Sequence, residues 1–236
     1  MKKYAMVTGA SRGIGRAVSL RLAACGYPLI LIAHTDADGL SETARCAQAA
    51  SGENPCSIRE YLCDLSDAAA VSDLFARLAE EGIGHPSTCP DSISLLINNA
   101  GISHFSLVQD MTDLDWHHVI DTNLSSMFYT CRAVVPMMVA TQAGVIINVS
   151  SVWGRLGASM ESAYAASKGG VDAFTRSLMQ ELSPSGIRVH LIAPEFVDTD
   201  MNAHLSEAER MEAVQGMPSK RIWSAEEVAE TIVACL

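Results

Sequence analysis

The feature that most constrains this chain is the run Thr8-Gly9-Ala10-Ser11-Arg12-Gly13-Ile14-Gly15, placed directly after a short apolar run and directly before an amphipathic one. Its glycines follow the spacing GxxxGxG. Three glycines at a strand-to-helix junction answer three steric needs. One permits a tight turn, one lets backbone approach a pyrophosphate, and one lets the helix pack close to the strand. The free N–H groups and the dipole of the following helix then face negative charge. The run therefore points to a βαβ unit whose first turn cradles a dinucleotide.

The rest of the chain fits that beginning. Apolar runs read as strands at Tyr4–Val7, Leu29–Ile32, Ile58–Cys63, Leu95–Ile97, Val145–Val149 and Arg188–Ile192. Between them lie helical stretches at Ile14–Cys25, Gly39–Ala50, Ala68–Glu80, Trp116–Val139 and Ala163–Leu182, with a final helix from Ala225. Ile14, Val18 and Leu22 share one face of the first helix. Unbroken apolar strands alternating with helices indicate a parallel sheet covered on both faces. The expected fold is α/β: a single doubly wound Rossmann domain over residues 1–236, with about six to seven parallel strands, carrying both cofactor and substrate sites. Gly82–Ser92 reads as a surface loop, rich in turn formers. Phe196–Arg221, with Met201, Met211 and Met217, reads as a mobile segment rather than core, and Pro136 is expected to kink the long fourth helix.

Composition excludes several function classes. The 236 residues can bury roughly 70–75% of their unfolded surface without cross-links. The net charge of −11 argues against a nucleic-acid partner, which needs clustered Lys and Arg. No apolar run approaches the ~18 residues of a membrane span. The seven cysteines, Cys25, Cys46, Cys56, Cys63, Cys89, Cys131 and Cys235, form no CxxC pair and no zinc spacing with histidine, so no metal site is expected. They read as free thiols, mostly small buried hydrophobes, in a reducing cytoplasm.

A second group of residues carries chemistry. Tyr164 and Lys168 are four apart on a helical stretch and so share a face. A phenol that exchanges a proton near neutral pH needs its anion stabilised, and an adjacent ammonium can supply that. Ser151 lies thirteen residues before Tyr164 at a strand end, where a hydroxyl can reach the same crevice; Ser150 is its rival. Asn123 adds a polar position on the long helix. Asn98-Asn99-Ala100-Gly101 follows the fourth strand, at the carboxyl end where ligands bind in open α/β sheets. His117 and His118 read as a solvated or capping face, and His104 as a candidate substrate neighbour.

Taken together, TGASRGIG, NNAG and the set Asn123, Ser151, Tyr164, Lys168 make the chain resemble the short-chain dehydrogenase/reductase family over nearly its whole length. Within it, the resemblance runs furthest to the 3-oxoacyl-(acyl-carrier-protein) reductases of fatty acid biosynthesis, including the ending Thr199-Asp200-Met201. The resemblance implies an oxidoreductase that moves a hydride between a nicotinamide cofactor and a carbonyl. Tyr164 would be the general acid, Ser151 the donor to the carbonyl oxygen, and Lys168 the group that lowers the phenol's pKa and binds the nicotinamide ribose. Asn123 would help hold a relay water. The cofactor contacts it implies are Gly9, Ser11, Arg12, Gly13, Ile14, Gly15, His34, Thr35, Asp64, Leu65, Asn98, Ala100, Gly101, Tyr164, Lys168, Pro194, Val197 and Thr199.

NADP(H) is favoured over NAD(H). Ala33 stands at the end of the second strand, where an NAD-binding domain carries an acid for the ribose 2′-OH, while Arg12, His34 and Thr35 can meet a 2′-phosphate. Asp36 and Asp38 keep NAD(H) as the alternative. Asp64 is expected at the adenine amine, and Asp67 as a helix cap. The implied substrate is a 3-oxoacyl thioester, small or acyl-carrier-linked, with Arg132 and Arg176 as candidate docking positions; a sugar, polyol, steroid or small secondary alcohol is the alternative. A nucleotide-sensing protein without turnover is the rival of another class. Glu195 departs from the pattern, since relatives usually carry glycine after that proline, and it is expected to alter the loop or the pocket's polarity. Relatives generally continue into one more strand after the last helix, which bears on an expected homodimer or homotetramer.

Overall fold

The computed structural model describes residues 2–52, 55–203 and 205–236. Six strands, β1 (Lys3–Thr8), β2 (Leu29–Ala33), β3 (Ile58–Leu62), β4 (Ser92–Asn98), β5 (Gly144–Val149) and β6 (Ile187–Ile192), form one sheet. All paired strands are parallel, in the order β3-β2-β1-β4-β5-β6. The order reverses between β1 and β4, which opens a crevice above their carboxyl ends. The fold is the doubly wound Rossmann type expected from the sequence.

Period-two alternation along the strands divides the core in two. In β1, Ala5 and Val7 pack with Val18 and Leu22 of α1 (Gly13–Ala24), Leu40 of α2 (Ala37–Ala50) and Val228 and Ile232 of α9 (Ala225–Val233). Tyr4 and Met6 face the other way, toward Leu74 and Leu78 of α3 (Ala68–Glu80), Val134 of α5 (Ser126–Thr141) and Val171 and Leu178 of α7 (Ser162–Leu182). A central strand with apolar side chains on both faces can only be satisfied by helices on both sides, and β2 is buried at every position.

The stretch read as one helix at Trp116–Val139 is three pieces. α4 (Asp113–Ile120) starts on a capping box between Thr112 and Asp115, a five-residue π turn covers Asp121–Ser125, and α5 follows. A single π turn is too short to stand out in a periodicity read along the whole stretch, yet such turns often lie at functional positions. Pro136 sits inside α5, which continues to Thr141.

The expectation for Phe196–Arg221 needs correction. The segment holds α8 (Glu207–Gln215), capped by Ser206 and Glu209, and a third small core of Phe196, Val214 and Met217 against Val152 and Trp153 of the short α6 region (Trp153–Leu156). Met201 and Met211 are exposed. The apolar positions are split between a loop and a short helix, so no single period marks them. In Gly82–Ser92, Ile83 is buried and Ser92 already begins β4. The seven cysteines are free, with only Cys63 and Cys131 buried, fewer than expected. No described helix is long and apolar enough to cross a membrane.

One buried hydroxyl ties the two strands that flank the crevice. Thr8 Oγ1 accepts from the backbone N–H groups of Asn99 and Ala100, each at 3.0 Å. Thr8→Val keeps the shape but leaves both N–H groups without a partner, which costs about 2–4 kcal/mol. Urea unfolding should show that loss with little change in m-value.

Candidate active site

The crevice is a cleft of about 570 Å³ running from the glycine loop, past the ends of β1, β4 and β5, to the loop after β6. Its first wall is the turn into α1. Gly9 (φ +65°) and Gly13 (φ +54°) take left-handed conformations. A Cβ at Gly15 would lie 2.1 Å from the Gly9 carbonyl oxygen, so Gly15 supports the turn from beneath rather than lining the cleft. The N-cap residue Arg12 makes no side-chain cap bond, and the first turn of α1 holds no acid. The helix start therefore offers uncapped N–H groups beside a turn stripped of side chains, an arrangement that fits a pyrophosphate.

Ser11, Arg12, Ile14, His34, Thr35, Asp64, Leu65, Ala100, Gly101, Pro194, Val197 and Thr199 line the same cleft as Gly9 and Gly13. Arg12 is exposed, with Nε 3.9 Å from Asp200. Asp36 borders the cleft, but its carboxylate accepts from Gly39 N at 3.0 Å as the N-cap of α2, and this bond draws its pKa down. Asp67 caps α3 through Ala69 N, leaving Asp64 to bond Ser66 N and Oγ and to lie 3.6 Å from His34 Nε2.

Asn98 does not line the cleft. It is buried beneath it, bonded to Asn148, Thr130 and Cys131, because the last residue of β4 turns toward α5. Asn99 takes the expected place, and its Nδ2 lies 3.1 Å from Thr8 O and 3.2 Å from Gly9 O. His118 also borders the cleft, with Thr122, where the sequence suggested a solvated face. The signal was its position five residues before Asn123 on the same helical run. His104 stands outside the cleft wall, 3.9 Å from Asp115. Among the described residues no cluster of His, Cys, Asp and Glu is placed to hold a metal ion.

At the cleft floor, Ser151, Tyr164 and Lys168 converge. Ser151 stands beside Tyr164 and favours its ionised form. Ser150 is not its equivalent: its hydroxyl turns to Asp172 and the Lys168 carbonyl. Lys168 Nζ donates to the Val149 carbonyl at 2.9 Å and stands 5.7 Å from the Tyr164 ring centre. Burial pushes the phenol up to about 12, eased by Ser151 and raised further by the Glu161 charge. This runs against the expectation of a phenol made acidic by Lys168, because desolvation dominates. Burial also lowers the ammonium to about 8, opposed by the Asp172 charge. Near neutral pH the pair is thus a protonated phenol beside an ammonium, the state needed to give up a proton.

Asn123, fully buried in the π turn, braces this cluster. Its Oδ1 accepts from Ile102 N, and its Nδ2 donates to Ile102 O and Ser167 Oγ. Both amide hydrogens are spent, so the side chain has none left to offer the relay water expected of it. Glu195 lines the cleft, but Ser219 N and Oγ donate to its carboxylate at 3.0 and 2.5 Å, and its backbone is not left-handed. The glycine of relatives is not needed here for conformation.

The sequence profile of the short chain dehydrogenase family matches residues 3–210. This chain belongs to that family. It is 35% identical over 231 residues to the 3-oxoacyl-[acyl-carrier-protein] reductase of Escherichia coli, covering 98% of this chain and 88% of that protein. The enzyme of the same name from Pseudomonas aeruginosa is 36% identical over 230 residues, with the same coverage. An uncharacterized oxidoreductase of Bacillus subtilis is 34% identical over 98% of this chain and 89% of that protein. A solved structure from Agrobacterium tumefaciens, provisionally described as a gluconate dehydrogenase, superposes with a TM-score of 0.86 at 31% identity, over 98% of this chain and 87% of that one. The chain is an NAD(P)-dependent oxidoreductase of this family, with the fold and cleft that such chemistry requires.

Glu161, one turn before Tyr164, gives a test of this environment. Burial raises its carboxyl to about 7 from its ordinary 4.5, so the folded state holds an extra proton between those values. Its contribution to stability is highest below about pH 4.5 and is lost as pH rises through 7. Glu161→Gln should therefore be more stable than the parent by about 2 kcal/mol at pH 8 and gain nothing at pH 4.5, read from denaturant midpoints at the two pH values.

Proposed function

We propose that the chain is an NADPH-dependent reductase of a 3-oxoacyl thioester, with residues 1–236 carrying the cofactor and substrate sites in one domain. The observation that carries this reading is Tyr164, buried beside Ser151 and Lys168 at the floor of a cleft whose far wall is the glycine turn. The relatives named as 3-oxoacyl-[acyl-carrier-protein] reductases support the substrate class.

When bound, the nicotinamide supplies the hydride. The protein's part is positioning and proton supply. The N-terminal turn of α1 takes the pyrophosphate, Asp64 the adenine amine, and Arg12 with His34 and Thr35 the 2′-phosphate. Ser151 Oγ and Tyr164 Oη aim their hydrogens at the substrate's carbonyl oxygen, where negative charge grows. Tyr164 Oη gives up its proton to the new alkoxide. Lys168 Nζ, held by Val149 O, steadies the phenolate left behind and the nicotinamide ribose. Val197 and Thr199, which line the cleft, would contact the carboxamide.

An acyl-carrier-linked substrate would dock at Arg132, which stacks on Phe128 and Tyr129 at 5.1 and 5.5 Å, and at the exposed Arg176. Exposed Phe128 and Met179 on α5 and α7 support a homodimer or homotetramer built on that face. The Agrobacterium structure favours a second reading, an NAD(P)-linked dehydrogenase of a sugar or polyol.

NADPH oxidation followed at 340 nm with acetoacetyl-CoA should be steady in the parent and fall about 10²–10⁴-fold in Tyr164→Phe. Arg12→Ala should weaken the preference for NADPH over NADH about 10–100-fold. Turnover of gluconate with NAD⁺ and none of the thioester would select the second reading, and an NADPH preference untouched by Arg12→Ala would overturn the cofactor assignment.

A further inference from the structure

Three consecutive residues at the end of β5 meet three positions on one face of α7. Val149 accepts from Lys168 Nζ at 2.9 Å. Ser150 Oγ lies 2.5 Å from Asp172 Oδ1 and 3.1 Å from the Lys168 carbonyl. Ser151 stands beside Tyr164 on the cleft floor and eases the upward shift of its phenol. Positions 164, 168 and 172 are one helical turn apart, so the strand end and the helix form a ladder of three rungs. The reaction proposed above uses two of them. It makes no use of Ser150 and Asp172.

Asp172 is unusual for a carboxylate, being only 3% exposed and outside the cleft wall. A buried carboxylate is costly unless it is paired and fully bonded. Arg155 of α6 donates to it from Nε at 2.8 Å, Arg176 stands 3.9 Å away, and both guanidiniums are largely exposed. The carboxylate thus pairs with solvent-facing cations, and its charge also acts on the buried Lys168 ammonium. It also fastens α6, whose Gly154 presses on α7 so closely that a Cβ there would come within 2.7 Å of the Lys168 carbonyl carbon.

We propose that Asp172 is a positioning residue of the active site: through Ser150 it fixes the register of residues 149–151 against α7, and its buried charge balances the Lys168 ammonium. The proposal rests on the reading of Tyr164 and Lys168 given above. The charged or titratable groups concerned are Tyr164, Lys168, Asp172 and Arg176 on α7, Glu161 just before it, and Arg155 on α6. The strand end contributes only neutral partners. Burial draws the ammonium down to about 8 and the Asp172 charge opposes that fall, so loss of the charge should release the Lys168 proton at lower pH.

The test is NADPH affinity by fluorescence titration from pH 6 to pH 10, with turnover of acetoacetyl-CoA and melting temperatures measured alongside. In the parent, NADPH binding should weaken above about pH 8. In Asp172→Asn that alkaline limb should move down by about one pH unit, with binding at pH 6 unchanged. Asp172→Glu should restore the limb. Ser150→Ala keeps the charge, so its limb should stay in place while kcat falls about tenfold through lost alignment. A merely structural Asp172 would lower the melting temperature and leave the limb where it is, and that result overturns the proposal. If Asp172→Asn fails to fold, Ser150→Ala decides: parental kcat in that variant also overturns it. Tyr164→Phe separates the two levels of the account. Turnover surviving in that variant sinks the reading of the site, whereas an unmoved limb in Asp172→Asn, with Tyr164→Phe inactive, sinks only the role of Asp172.

Discussion

A lysine ammonium buried to 3% exposure can exist only where the fold compensates it, and much of this structure is organised around that need at Lys168. The compensation comes from the carboxyl end of β5. Parallel strands end with their last carbonyls facing the crevice, so Val149 has a free acceptor at the position α7 passes. The hydroxyls of the next two residues meet Asp172 and Tyr164. The same burial that makes the ammonium costly pushes the phenol further above its ordinary value. One constraint thus sets both the packing of α7 on the sheet and the protonation state from which the proposed reduction starts.

The cofactor half of the cleft depends on a different economy, the removal of side chains. Gly9 and Gly13 turn through left-handed backbone, and Gly15 clears the space in which the Gly9 carbonyl sits. Thr8 and Asn99 then tie this turn to the end of β4, fastening the loop that would receive phosphate to the loop that leads to Gly101. Gly101 in turn lies against Asn123 and the Lys168 ammonium. A path of close contacts therefore runs from the phosphate turn to Lys168 and the Tyr164 ring.

The parallel sheet, both helical layers and the grouping of Ser151, Tyr164 and Lys168 were legible in the sequence, because burial on two faces and helical spacing leave direct marks on residue order. Other features leave none. The π turn at Asp121–Ser125 alters the hydrogen-bond register over too few residues to mark the periodicity of the whole stretch. Whether Asn98 or Asn99 faces the cleft depends on which side of β4 each residue falls, and a shift of one residue reverses it. Phe196, Val214 and Met217 form a core only after a loop and a short helix fold back together. Glu195 looked like a disturbance of the loop, yet Ser219, far along the chain, absorbs its carboxylate. The direction of the Tyr164 shift was missed for a related reason: spacing shows that an ammonium is near, but not that burial outweighs it.

The central claim is that the Tyr164 hydroxyl faces the reactive end of a dinucleotide held by the glycine turn. A crystal structure of the chain with NADP⁺ tests it most directly. The account predicts the pyrophosphate at the N-terminus of α1, the 2′-phosphate at Arg12, and the nicotinamide ring within reach of Tyr164 Oη, leaving room for a carbonyl at roughly 3–3.5 Å from the reacting atoms. A dinucleotide bound with its nicotinamide away from Tyr164, or bound outside this cleft altogether, would contradict it.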